Sequence, residues 1–87
     1  MNRLFILPFF LLPIISAAPA YADCKAEIAR FQKLLDSDVR VGHVARSVYD
    51  RATADLAAAG KFCASGQDGA ASAAVRTTRG RYGYPPN

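Results

Sequence analysis

Tryptophan is absent from this 87-residue chain, histidine and methionine occur once each, and cysteine occurs twice. One histidine and two cysteines cannot assemble a tetrahedral metal site unless carboxylates cluster beside them. The cysteines, Cys24 and Cys63, are too far apart in sequence for a C-x-x-C redox pair. Also missing are H-E-x-x-H, a phosphate-binding glycine loop, the G-x-S-x-G nucleophile turn and a C-x-x-C-H haem attachment. No catalytic residue, metal ligand or cofactor is therefore expected, and the chain reads as non-enzymatic. Acids are scarce as well, with 7 Asp and Glu against 11 Lys and Arg. The length leaves room for one small domain, too little for a two-domain nucleotide enzyme or a barrel.

What is present begins with an address. Met1-Asn2-Arg3 is a short basic start, Leu4 to Ile15 is apolar apart from Pro8 and Pro13, and small residues then lead to Ala20-Tyr21-Ala22. Charge, apolar run and A-x-A in that order form a secretory signal peptide over residues 1–22, with cleavage expected after Ala22. A permanent membrane anchor fits less well, because two prolines interrupt the run and a cleavage site follows it. Lipidation of Cys24 fits poorly too, since Asp23 stands where a lipoprotein signal needs a small residue. The expected location is the periplasm, or outside the cell.

The remaining chain would run from Asp23 to Asn87. Its seven acids all lie by Asp68, where seven Lys and Arg balance them, so the excess positive charge sits in Arg76, Arg79 and Arg81. Leu, Ile, Val and Phe make up only 11 of these 65 residues, which borders on the composition of disordered chains. So small a core needs a staple. Cys24 and Cys63 supply it, because an exported protein keeps its disulfides and two cysteines allow one intramolecular pairing.

Cys24, Ile28, Phe31 and Leu35 recur at helical spacing, predicting a first helix over about 24–36 with Asp23 as its N-cap. Asp36-Ser37-Asp38, then Val39, Val41 and Gly42, read as a break. A second helical face follows on Val41, Val44, Val48, Ala52, Leu56, Ala59 and Cys63, stopped at Gly66. A bridge from the start of the first helix to the end of the second requires an antiparallel hairpin. Its midpoint falls near residue 43, so the turn lies between Ser37 and His43. Asp68 would cap a short, alanine-rich third helix, and Gly80 would end it. The expected fold is all-α: an antiparallel helical hairpin closed by one disulfide, a short third helix, and an extended C-terminal tail. The domain spans 23–79 and the tail 80–87.

Few side chains invite a functional reading. His43 sits at the turn and is taken as an exposed polar group there, and Asp36 and Asp38 as a helix-end and cap pair. Arg76, Arg79, Arg81, Tyr82 and Tyr84 interleave cations with aromatic rings, as polyanion-binding segments do. Export argues against a nucleic-acid partner, leaving a lipid headgroup, an envelope polysaccharide or an acidic protein surface. Ala45, Ala52, Ala57, Ala58 and Ala59 crowd the second helix and would let another helix, or a second copy in a homodimer, approach closely. Tyr49 and Phe62 are expected in the core or at its rim.

In layout alone, with residues 1–22 as a signal and Cys24 and Cys63 tying helices, the chain resembles small bacterial periplasmic proteins. More loosely it resembles the acid-stress chaperones of that compartment. The leading expectation is a small exported, non-enzymatic helical protein that binds another envelope component. The alternative is a periplasmic stress chaperone of the small disulfide-bonded helical type.

Overall fold

A computed structural model describes residues 18–86, with side chains from Asp23 onward. Most of the expected signal segment 1–22 thus lies outside the described residues. Three helices follow one another: α1 Ala18–Arg40, α2 Arg46–Ala64 and α3 Asp68–Arg81. The described residues contain no strand.

All three helices end on the same device, and it explains where the expected boundaries moved. Beyond α1, Gly42 has φ +84°, and the amides of Gly42 and His43 donate to the carbonyls of Val39 and Asp38. That is a Schellman termination, which needs a left-handed residue and so favours glycine. Asp36-Ser37-Asp38 does not break the helix. Polar residues with modest helix propensity are tolerated inside it until a glycine takes the left-handed turn. Gly66 closes α2 in the same way. At α3 the stop is Gly83, at φ +82°, rather than the expected Gly80, which stays helical. Gly80 costs propensity only, whereas Gly83 places the Tyr84 amide 2.8 Å from the Arg79 carbonyl.

The helix starts differ from expectation too. Asp23 is no cap, because α1 already begins at Ala18. Residues 41–45 form the turn, so α2 starts at Arg46 rather than Val41, with Ala45 as an N-cap that makes no side-chain bond. Gln67 occupies the cap position of α3, and Asp68 is its first helical residue. There its charge complements the helix dipole.

The expected inward faces are in place. Cys24, Phe31 and Leu35 from α1, Ala52, Leu56, Ala59 and Cys63 from α2, and Ala71 and Val75 from α3 are buried. Val41, projected onto the same α2 face, lies in the turn and is exposed. Cys24 and Cys63 form a disulfide with Cα atoms 6.0 Å apart, packed on Ala71. At the other end of the hairpin Tyr49 of α2 bonds Asp36 of α1. Partners thus run in opposite senses, and the hairpin is antiparallel. Helix α3 returns alongside α1: Ser72 donates to Glu27 at 2.7 Å, and Tyr84 beyond its end reaches Asp38. The result is an up-down-up bundle of three helices.

Candidate functional site

Two regions carry features beyond core packing: the groove between α1 and α2 on the side away from α3, and the segment that follows α3.

The groove has a volume of about 560 Å³. Buried Leu56 and Cys63 with half-buried Ile28 form its floor, and exposed Ala29, Ala57 and Ala64 with Gly60 form low walls. Lys25, Gln32 and Thr53 bring the polar groups. No α3 residue reaches it. Its shallow walls come directly from sequence, since Ala57, Gly60 and Ala64 recur every three or four residues on one stripe of α2. Gly60 stands mid-helix, where glycine costs about 1 kcal/mol against alanine. A Cβ built there would meet no atom within 4 Å. Among the described residues no neighbour requires glycine at that position. Other expected small residues go elsewhere: Ala52 and Ala59 are core, while Ala45 and Ala58 are exposed.

The aromatic-cationic residues near the C-terminus do not gather into one solvated patch. Arg79 is only 7% exposed, with its guanidinium 4.6 Å from the centre of the Phe31 ring and its Nη1 donating to the Pro85 carbonyl at 3.2 Å. Arg81 pairs with Asp55 at 2.7 Å. Tyr82 donates to the same carboxylate oxygen at 2.8 Å. Tyr84 donates to Asp38 at 2.7 Å and sets its ring edge-on to Phe31, centroids 5.1 Å apart. Arg76 lies exposed on α3. Of the three excess arginines Arg81 meets an acid, Arg79 a ring face and a carbonyl, and Arg76 solvent, and the segment 82–86 lies back on the bundle.

Electrostatics follow from these bonds. The Tyr49 and Gln32 hydrogen bonds hold Asp36 below the usual carboxylate value, and the Tyr82 and Arg81 bonds do the same for Asp55. Burial, with the Asp38 carboxylate beside it, pushes the Tyr84 phenol up to about 12. Asp36 and Asp38 stand near the end of α1, as expected, but each accepts a tyrosine hydroxyl, and the N-cap of α2 is Ala45. His43 is in the turn with its side chain 76% exposed, its Nδ1 3.9 Å from Asp38 Oδ1.

Sequence reasoning did not find the three tyrosine–aspartate bonds, because their partners stand 13, 27 and 46 residues apart. No local pattern links such pairs. Among the described residues no group of three acidic, histidine or cysteine side chains could hold a metal, and no helix is long and apolar enough to cross a membrane. No protein-family model, curated protein or solved structure matches this chain.

Proposed function

We propose that this chain is a small exported helical binding protein, and that its α1/α2 groove receives a helix of another envelope component. Export rests on the order of basic start, apolar run and A-x-A in residues 1–22, with which the Cys24–Cys63 bond is compatible. The groove rather than the C-terminal segment is the binding surface, because Arg79, Arg81, Tyr82 and Tyr84 already hold partners in the fold.

The observation that carries the reading is Gly60. Small walls allow a helix backbone close approach, and Gly60 is the glycine that lines the groove, with open space where a Cβ would stand. The apolar floor supplies the driving force.

Two measurements test it. Intact mass from cells making the full chain should give residues 23–87 less two hydrogens; an uncleaved N-terminus or free thiols would overturn export. A photo-crosslinking residue at Ala57 should then give a discrete adduct that Gly60→Leu abolishes, while helicity is kept and melting is no lower than in the parent. An adduct of twice the chain mass would identify a second copy as the occupant. Failure of Ala57 to crosslink, or an adduct indifferent to Gly60→Leu, would overturn the groove.

A further inference from the structure

After α3 the chain doubles back over the core, and the side-chain ties that hold it there end mainly on carboxylates. Tyr84 Oη donates to Asp38 Oδ2 at 2.7 Å, and Tyr82 Oη and Arg81 Nη1 converge on Asp55 Oδ2 at 2.8 and 2.7 Å. Beneath lies the core cluster around Phe31, itself fully buried under the Tyr84 ring and the Arg79 guanidinium. At the opposite end of the bundle the tie is covalent, the Cys24–Cys63 bond packed on Ala71.

We propose that residues 82–86 are a proton-released strap: protonation of Asp38 and Asp55 lifts it off Phe31, while the disulfide keeps the far end of the bundle closed. A neutral carboxyl accepts a hydrogen bond more weakly than a carboxylate and has no charge for a guanidinium. Asp38 faces Tyr84 from the strap and His43 from the turn. Asp55 faces Tyr82 and Arg81 from the end of α3 and Arg51 on its own helix. Residues 82–86 bring no acidic side chain, so once both carboxyls are neutral Arg79 and Arg81 stay beside the strap, and Arg51 beside Asp55, without a counter-charge from either.

The direction in pH follows from Asp55. The bonds from Tyr82 and Arg81 hold its folded value below the ordinary one. The tie it provides is therefore complete above about pH 4, the unfolded carboxylate value, and is lost as pH falls through the lower folded value. Release is an acid event, and it runs from the strap end. It bares Phe31 without dismantling the helices.

Amide hydrogen exchange on the oxidised protein tests this. The Tyr84 amide, bonded to the Arg79 carbonyl, reports the strap; the Ala71 amide, bonded to the Gln67 carbonyl, reports the disulfide end. Between pH 7 and pH 2.5 the protection factor at Tyr84 should fall at least tenfold while that at Ala71 stays within twofold. Asp38→Asn with Asp55→Asn should reproduce the Tyr84 loss at pH 7. If that double variant unfolds, Tyr84→Phe decides: it keeps the ring, loses the hydroxyl, and should start less protected with a flatter acid response. Unchanged Tyr84 protection in acid, or loss of both amides in step, would overturn the strap.

Discussion

Two glycines in this chain carry opposite expectations, and the difference lies in backbone angle alone. Gly60 sits in the interior of α2 in ordinary helical conformation, with open space where a Cβ would go. Alanine there removes the propensity cost and should stabilise the fold by about 1 kcal/mol. Gly83 also has open space around it, but its φ is +82°. An alanine there is forced left-handed, costing about 1–2 kcal/mol. Denaturant midpoints of the two variants should therefore move apart in opposite directions with unchanged slopes. A Gly60→Ala protein less stable than its parent would mean that the stripe is already occupied in solution. Arg79 is the other residue to note at this scale, because a buried guanidinium here rests on a ring face and a carbonyl rather than on an acid.

At the scale of helices, α3 depends most on its neighbours. It is alanine-rich, and among its buried residues Val75 is the one bulky aliphatic side chain. Val75→Ala should cost about 2 kcal/mol by lost burial and an unfilled space. The same change at Val41, exposed in the turn, should cost about 0.5 kcal/mol or less. Equal losses at the two sites, measured by urea unfolding, would mean that α3 is not docked in solution. Much of this architecture was legible beforehand. Helical periodicity depends on residues three and four apart, so Cys24, Ile28, Phe31 and Leu35 declared the inner face of α1. Helix ends were less legible, because Gly80 and Gly83 offer rival stops of the same residue type, and it is Gly83 that takes the left-handed turn. The groove was half legible. Alanine crowding marked α2, but Ala52 and Ala59 face the core while Ala57 faces out, and that split needs the partner helices.

For the molecule as a whole, a thin core is secured by a covalent tie at one end and by ionisable side chains toward the other. The two can be perturbed separately. In the chain-entropy picture a loop of this length contributes roughly 4 kcal/mol, a large share of what so small a domain has. Reduction should therefore abolish the cooperative melting transition in far-UV dichroism; a reduced protein that melts like the oxidised one would make the disulfide incidental. The ionisable end has an alkaline limb as well. Burial first, then the bond to Asp38 and its charge, raise Tyr84 from the ordinary 10 to about 12. A raised value means that the neutral phenol is favoured by the fold, so this contribution is complete below about pH 10 and is lost as pH rises to about 12. Absorbance at 295 nm should show a late tyrosine step near pH 12 that Tyr84→Phe removes. Asp38→Asn should bring that step down only part of the way, because burial remains when the charge is gone. A Tyr84 that ionises near pH 10 in the folded protein would show that it does not lie against Phe31 and Asp38 in solution, and the acid-released strap would fall with it.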